Sequence, residues 1–349
     1  MNTRALTLSG GAPASLALPA LALALFCVVV LALGSGAVSL SPTAVLGALF
    51  GADVGSEAEL VVRTLRLPRV LLGVIAGAGL GIAGAAMQGL MRNPLADPGL
   101  VGVSSGAALA AACVVVLGER AMSAGGWLAS SALPLAAFAG AALTTAIVYA
   151  ASRRNGRSSV TLMLLSGIAI NALAMSGIGL LMFMGSDAQV RQFTFWTLGS
   201  LAGATWPGVV AATLAVALAL CALLRRAGPL DALALGESQA AHLGVATARL
   251  NRSCVLLIAL SVGATTALTG TLGFIGLIAP HLARRLVGPA HARLLPASAL
   301  TGAALVVLAD SAARTWVAPA ELPIGVLTAL FGAPFFIALL RRRAAHEST

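Results

Sequence analysis

The chain has few residues that could carry out chemistry, and their spacing suits neither catalysis nor metal binding. Two metal-ligating histidines on one helix face stand about four residues apart, and no two histidines of this sequence have such a spacing. The four histidines are His242, His281, His291 and His346. Ser104 and Ser105 lie in apolar sequence, with no neighbouring histidine or carboxylate that could activate a hydroxyl group. We therefore predict no bound metal and no catalytic site.

The basic residues exclude nucleotide hydrolysis by this chain. A Walker A loop needs a lysine to reach the phosphates of the nucleotide. All 21 basic residues of this chain are arginine. If ATP drives a process in which this protein takes part, another chain must hydrolyse it.

Composition predicts a membrane protein. Of the 349 residues, 59% are hydrophobic and 9% are charged, and the mean hydropathy is +0.99, as in polytopic membrane proteins. A helical span needs about 20 apolar residues. Ten candidate runs, the eighth short and broken by Pro280, lie at residues 16–38, 70–91, 100–117, 133–151, 160–184, 207–224, 253–271, 272–286, 294–313 and 324–340. Since the loops are short, we predict one all-α integral membrane domain over residues 1–349, with about ten transmembrane helices.

The distribution of the arginines predicts the orientation. If the N-terminus with Arg4 is cytoplasmic, alternation of the spans puts 15 of the 21 arginines on the cytoplasmic side, as the positive-inside rule requires. The other six are Arg63, Arg66, Arg69, Arg120, Arg191 and Arg314. Both termini are then cytoplasmic. The net charge of +10 reflects this topology, so we expect no nucleic-acid partner.

The second run carries a stripe of small residues that ends at a polar turn. Small residues recur every four positions and predict one face of nearly bare backbone, which another helix can approach closely in lipid. They are Gly73, Gly77, Gly81, Ala85 and Gly89. The stripe stops at Arg92, and the sequence N-P-L-A-D-P-G follows. We expect a tight turn there, before the third run begins.

The longest polar stretch of the arginine-rich side lies between the sixth and seventh runs. Residues 228–249 alternate leucines with polar side chains, and Gly236 and Gly244 can end turns. This pattern predicts one or two short amphipathic helices outside the bilayer. Either they lie flat among the lipid headgroups, or they dock a cytoplasmic partner.

Asp310 is the clearest candidate for an ionisable group of an ion-coupled transporter, because such proteins place carboxylates in the membrane interior. Arg314 follows one helical turn later. A salt bridge or cap at the helix end is the alternative, and the sequence leaves both open.

Six stretches, in order, carry a resemblance to a known family: R-L-P-R at 66–69, M-Q-G-L-M-R-N-P-L-A-D-P-G-L-V-G at 87–102, L-L-S-G-I-A-I-N at 164–171, L-A-L-G-E-S-Q-A-A-H-L-G at 233–244, G-T-L-G-F-I-G-L-I-A-P-H at 270–281, and E-L-P-I-G-V-L-T-A-L-F-G-A-P-F-F at 321–336. Over residues 38–343 the chain resembles the ten-helix permease subunits of ABC importers for ferric siderophores, haem and cobalamin. The resemblance implies a homodimer in the bacterial inner membrane, with the substrate path between the two copies. It also implies two ATPase subunits that bind ATP and Mg²⁺, and a periplasmic binding protein. No cofactor is expected in this chain.

The resemblance also implies roles for individual residues. A coupling element that fits a groove on the ATPase is expected at Gly236, Glu237, Ala240, Leu243 and Gly244. The cytoplasmic gate is expected at Asn93 and Leu95, with a second element near Val160 and Thr161, where this sequence departs from the Thr-Ser pair of the cobalamin permease. Outer-face arginines that pair with acidic residues of the binding protein are expected at Arg66, Arg69 and Arg314.

The cargo is the least determined feature. The sequence of residues 88–109 is most similar to the haem-importing branch of the family. Ferric siderophore and then cobalamin are the alternative cargoes. An ion-driven secondary transporter, which would need Asp310 and no ATPase, is the alternative of a different class.

Overall fold

The structure is a computed structural model that describes residues 14–36, 40–50, 59–118, 125–154, 157–158, 160–318 and 320–347. Arg4 and Val38, which entered the sequence predictions, lie outside this part, as does the side chain of Val160. The described helices are α1 Ala14–Gly34, α2 Pro42–Phe50, α3 Leu67–Met91, α4 Val103–Leu117, α5 Gly126–Ala151, α6 Val160–Met184, α7 Asp187–Thr197, α8 Trp206–Leu224, α9 Ala227–Ala234, α10 Glu237–His242, α11 Thr247–Thr269, α12 Ile275–Val287, α13 His291–Thr315 and α14 Ile324–Glu347.

The predicted helical membrane fold is confirmed. Eight of the described helices are long and apolar enough to cross a membrane, and α4 is a shorter apolar helix. Together with α12 they occupy the ten predicted positions. One π-helical turn, Val61–Arg66, leads into α3, and a 3₁₀ turn, Pro98–Val101, precedes α4.

Two helix boundaries and one predicted break differ from the predictions in an informative way. The first helix ends at Gly34, where the Gly34 carbonyl accepts a hydrogen bond of 2.9 Å from the N–H of Leu40 and the chain turns towards α2. The eighth helix begins at Ile275 instead of Leu272, because the preceding loop ends in Phe274 with a φ of 66°. Pro280 lies inside α12 and does not break it.

A small strand pair departs from the all-α prediction. Two-residue strands, β1 Arg153–Arg154 and β2 Arg157–Ser158, form an antiparallel hairpin between α5 and α6. Two of the described helices were not predicted either as spans or as amphipathic helices. They are α2 and α7, the latter opened by a capping box in which Ser186 and Gln189 satisfy each other's backbone N–H groups.

Helix α3 is the centre of the molecule. It packs on α13 along its length and on α8, α11 and α12, and most of its residues are buried. A Cβ atom at Gly77 or Gly81 would collide with the backbone of Gly302 or Ser298 in α13. Each glycine costs about 1 kcal/mol of helix propensity relative to alanine, and the close packing of two backbones in lipid offsets that cost.

A second group of helices, α4, α5 and α6, packs beside this centre. Helix α11 contacts both α3 and α5 and so joins the two groups. The ends of α3 and α13 define two faces of the molecule. We call the face with Arg92, Arg284 and Arg285 the arginine-rich face, and the face with Arg66, Arg69 and Arg314 the opposite face.

Candidate functional site

The turn after α3 has a defined and strained geometry. Arg92 has a left-handed backbone with a φ of 50°, a conformation that costs a non-glycine residue about 1–2 kcal/mol. The N–H groups of Arg92 and Asn93 donate to the carbonyls of Gly89 and Gln88 at 3.2 and 3.1 Å, which is a Schellman ending of the helix. We call residues 92–97 the Asn-Pro turn.

The side chain of Asn93 shapes the rest of this turn. Its Oδ1 accepts a hydrogen bond of 3.0 Å from the N–H of Leu95, and the Asn93 carbonyl accepts one of 3.0 Å from the N–H of Ala96. Asn93 is exposed and Leu95 is half-buried. Backbone hydrogen bonds and one amide side chain therefore fix the conformation of the Asn-Pro turn, where the gate was predicted.

The second predicted gate element lies at the start of α6. Val160 is the first residue of this helix, and Thr161 is exposed. The 3₁₀ turn Pro98–Val101 packs on α6, and a Cβ at Gly167 would collide with the carbonyl of Leu100. The structure thus brings the segment after the Asn-Pro turn against α6, about two helical turns beyond Val160.

A cavity of about 730 Å³ opens beside the Asn-Pro turn at the arginine-rich face. Its lining carries three guanidinium groups, from Arg92, Arg284 and Arg285, and the carboxylate of Asp231. Arg284 donates to Oε1 of Gln88 at 2.9 Å and so joins α12 to α3. The lining is net positive, and it contains elements from α3, α9, α12 and α13.

Two short helices, α9 and α10, lie in the stretch 228–249, as the sequence indicated, and α10 lies within the predicted coupling element. Helix α9 buries Leu230 and Leu233, and Gly236 reverses the chain with a φ of 116° before α10. We call residues 236–244 the 236–244 segment. Within it Ala240 is fully buried, whereas Glu237, Leu243 and Gly244 are exposed.

Exposed leucines at this segment are informative. Leu235 and Leu243 are 61% and 66% exposed, next to exposed Glu237. The surface at this segment therefore combines apolar side chains with a negative charge. The buried Ala240 packs the 236–244 segment against the rest of the chain, so the exposed side chains of the segment are held in place.

The opposite face carries a network of four charged side chains, Arg69, Asp310, Arg314 and Glu321, which we call the charge network. Both Nε and Nη2 of Arg69 donate to Oδ1 of Asp310, at 3.0 and 2.9 Å, and Nε of Arg314 lies 2.9 Å from Oδ2. Arg69 also donates to both carboxylate oxygens of Glu321, at 2.9 and 3.0 Å. Asp310 is only 1% exposed, and its charge is balanced by the buried Arg314 and the partly buried Arg69.

The three arginines that the resemblance assigns to binding-protein docking make most of their hydrogen bonds and ion pairs within this chain. Arg66 donates to the carbonyl of Leu33 at 2.7 Å, and Arg314 donates to the carbonyls of Ser35 and Ala32 at 2.9 and 3.1 Å. They thereby satisfy carbonyls at the end of α1, which have no partner within that helix. Arg66 and Arg314 are each 7% exposed, so only a small part of each guanidinium faces the surface.

The stripe of small residues faces α13 from end to end. Ala85 is fully buried, Gly73 lies against Leu201 and Val307, and Gly89 lies against the imidazole of His291. Sequence reasoning missed Gly84, which lies off this stripe. A Cβ there would collide with the carbonyl of Gly276 in α12, the carbonyl whose helical partner Pro280 lacks an N–H to donate.

Two further residues with defined contacts were missed. His291 is 5% exposed and pairs with Asp231, and Glu321 pairs with Arg69. Both pairs join residues far apart in the chain, and no local spacing signals them. The position of Glu321 inside the E-L-P-I-G motif was the only available indication.

Comparison with known proteins identifies the family. The sequence model of the FecCD transport family matches residues 23–342. The hemin transport system permease protein HmuU of Yersinia pestis is 42% identical over 328 residues, which are 93% of this chain and 96% of that protein. The cobalamin import system permease protein BtuC of Halobacterium salinarum is 40% identical over 290 residues, 83% of this chain and 76% of that protein.

A solved structure has the same fold. It is described as an inward-facing conformation of a chain assigned to the metal-chelate type of ABC transporter, and it superimposes with a TM-score of 0.83 at 32% identity, over 93% of this chain and 98% of that one. The family match covers more than half of the chain, and the predicted resemblance is confirmed. Permeases of this kind work with an ATPase and a binding protein, and they carry no cofactor and catalyse no reaction themselves. The chain belongs to the FecCD transport family and is a multi-pass permease subunit of an ABC importer.

Proposed function

We propose that this chain forms, as a homodimer, the path through which an ABC importer moves haem from a periplasmic binding protein to the cytoplasm. The observation that carries the proposal is the 42% identity to a hemin permease over 93% of this chain. Ferric siderophore and cobalamin are the alternative cargoes, since a cobalamin permease is 40% identical over a shorter alignment.

The arginines support an orientation in the inner membrane. Alternation of the spans gives 15 of the 21 arginines to one side of the membrane, the side of the arginine-rich face, and this side is assigned to the cytoplasm. Two ATPase subunits then dock there, and the opposite face with the charge network meets the binding protein. Both termini are cytoplasmic in this arrangement.

The 236–244 segment is assigned to ATPase docking. Its exposed Glu237 and Leu243 project from the buried Ala240, and the Asn-Pro turn, assigned to the gate, lies in the same cavity wall as α9. Docking by an apolar side chain and a charge on one turn gives both affinity and register. The alternative, a segment lying flat among lipids, would need a continuous apolar face, and here the exposed side chains are mixed.

The surroundings of Asp310 argue against an ion-driven transporter. A proton or ion carrier must change its charge as it works. The carboxylate of Asp310 is held by Arg69 and Arg314 within 3.0 Å on both of its oxygens. These contacts favour a structural role for the aspartate.

The test is uptake into liposomes that contain this chain with its partner ATPase, with ATP inside and the binding protein outside. Haem, a ferric siderophore and cobalamin are compared as cargo. ATP-dependent uptake of haem is the expected result. Preferred uptake of another chelate would overturn the haem assignment, and accumulation without ATP would overturn the importer mechanism.

The ATPase contact is tested by Glu237→Arg. We expect the variant to bind the ATPase subunit about tenfold more weakly, which corresponds to roughly 1.4 kcal/mol, because a charge is reversed at the centre of the exposed surface. Ala248→Arg, which adds an exposed charge on α11 outside the 236–244 segment, is the matched control and should bind normally. Equal binding by both variants would reject the assignment.

A further inference from the structure

A buried histidine joins the helix that leads into the 236–244 segment to the helix that ends at the Asn-Pro turn. His291 is the first residue of α13 and is 5% exposed. Its Nδ1 lies 2.5 Å from Oδ1 of Asp231 in α9, and its backbone N–H donates to the same oxygen at 3.0 Å. One carboxylate thus fixes both the ring and the start of α13.

The other edge of the ring lies against α3. A Cβ atom at Gly89 would collide with Nε2 of His291, and within the described part of the chain Nε2 has no hydrogen-bond partner. The Gly89 carbonyl in turn accepts the N–H of Arg92 at 3.2 Å. A displacement of the ring towards α3 therefore pushes on the residue that ends the helix and fixes the Asn-Pro turn.

Helix α9 is suited to transmit a movement. Leu230 and Leu233, on its inner side, are 0% and 1% exposed, and the helix packs on both α3 and α13. Only Leu235 and Gly236 separate it from α10, and their N–H groups donate to Ala232 and Leu233 at 3.1 and 3.0 Å. Because the connection is short and hydrogen-bonded, a push on the 236–244 segment displaces Asp231 with it.

We propose that His291 is a positioning residue that transmits movement of the 236–244 segment, through Asp231, to Gly89 and the Asn-Pro turn. This inference rests on the proposed function, since ATPase docking and gating are assigned there. A packed core shifts between discrete arrangements instead of deforming continuously. The imidazole, held by a carboxylate on one side and pressed on a bare glycine on the other, is the contact through which the two elements move together.

Substitutions can separate the two halves of this link. His291→Ala removes both halves. His291→Asn keeps an amide N–H near the position of Nδ1, so it retains the bond to Asp231 but no longer reaches Gly89. Gly89→Ala drives a methyl group into the ring and forces it off Asp231. In the double variant Gly89→Ala/His291→Asn the methyl occupies space that the ring has left, so the contact between α3 and α13 is filled again.

The measurement is import per ATP hydrolysed, in liposomes containing the complete complex of permease, ATPase and binding protein. We expect His291→Ala, His291→Asn and Gly89→Ala each to lower this ratio about tenfold, within the range that mutations along coupled networks produce, while the assembled ATPase still hydrolyses ATP. The double variant should recover at least half of the wild-type ratio. Arg293→Ala, an exposed position on the same first turn of α13, should leave the ratio unchanged.

The outcomes separate this proposal from the proposed function. ATP-dependent import by the wild-type complex tests the function, whereas only the ratio of each variant to the wild type tests the link. An unchanged ratio in His291→Ala would overturn the link. It would also be overturned if the double variant were as impaired as Gly89→Ala alone, because the loss in Gly89→Ala would then not act through the imidazole of His291.

Discussion

The two ends of the α3–α13 pair handle charge in opposite ways. At the opposite face, Asp310 is buried and binds Arg69 and Arg314 directly, and both arginines are nearly covered. At the arginine-rich face, Arg92 and Arg285 are exposed beside a cavity, and the nearest carboxylate, Asp231, has a side chain 41% exposed. The same two helices are thus held by buried ion pairs at one end, which we call the pinned end. At the other, which we call the free end, the His291–Asp231 pair lies beside a cavity and exposed charges.

This difference suits the two roles that the proposed function assigns to the ends. Buried ion pairs have few alternative arrangements, because a charge that leaves its partner inside the protein is costly. Exposed charges in water can exchange partners at little cost. A strained turn such as that at Arg92, together with a buried imidazole, supplies a place where a small displacement changes the local packing. The comparison therefore predicts that substitutions at the pinned end change stability and substitutions at the other end change transport.

The largest expected effect is that of Asp310→Asn. Arg314 loses its carboxylate partner inside the protein while Arg69 keeps only Glu321, and breaking a buried ion pair costs about 3–5 kcal/mol. The free energy of unfolding, followed by denaturant or heat in detergent, should fall by that amount. Glu321→Gln is the control. Its carboxylate is 44% exposed, so its loss should cost about 0–1 kcal/mol.

Equal losses in the two variants would contradict the idea that buried pairs pin this end. An Asp310→Asn variant that stays as stable as the wild type yet loses transport would contradict it more directly. That result would make Asp310 a candidate again for the ionisable group of an ion-coupled transporter.

How far the sequence could predict this structure depends on the range of the interaction. The helices and the face of α3 that meets α13 follow from apolar runs and from the recurrence of Gly77 and Gly81, which are local patterns. The start of α12 does not follow from a local pattern, because it depends on a positive φ at Phe274, a residue type that does not indicate a turn. Phenylalanine rarely adopts that conformation, so only the surrounding packing enforces it.

The charged contacts show the same limit. Arg314 and Asp310 are one turn apart, and their pairing was a stated alternative in the sequence. Arg69 reaches Asp310 across 241 positions, and His291 reaches Asp231 across 60. Composition and spacing carry no information on such pairs, so the charge network and the histidine link emerge only from the folded chain. The family resemblance pointed to Arg69 but assigned it to a partner, whereas the structure also gives it two carboxylates within the chain.

A loss of stability of intermediate size is expected from the contact between α3 and α13 midway between their two ends. Gly81→Ala places a methyl group against the carbonyl of Ser298, which is backbone and cannot move aside cheaply. We expect a loss of about 1–3 kcal/mol, as for overpacked cores, in the same unfolding measurement. Gly179→Ala in α6, where a Cβ has no neighbour within 4 Å, should be neutral or gain up to about 1 kcal/mol from helix propensity.

A tolerated Gly81→Ala would mean that α3 and α13 can separate along their length, and the contrast between a pinned and a free end would lose its basis. A destabilising Gly179→Ala would instead sharpen the description, since it would place a second helix on that face of α6, which in the proposed dimer would come from the other copy.

The smallest expected effect concerns docking at the pinned end, where little of each arginine is exposed. Arg66→Glu should lower the affinity for the binding protein about fivefold at low salt and less at about 0.5 M salt, because exposed charges act mainly by steering and are screened. The comparison variant is Arg66→Gln, which also loses the Nη1 donor to the carbonyl of Leu33 but adds no negative charge. If the arginine acts by its charge, Arg66→Glu weakens binding more than Arg66→Gln does, and high salt narrows the gap. If both variants bind the binding protein as the wild type does, the guanidinium of Arg66 only stabilises the end of α1. The docking surface then lies elsewhere on the opposite face, and charge reversal at exposed Arg63, which pairs with Glu59, is the next test.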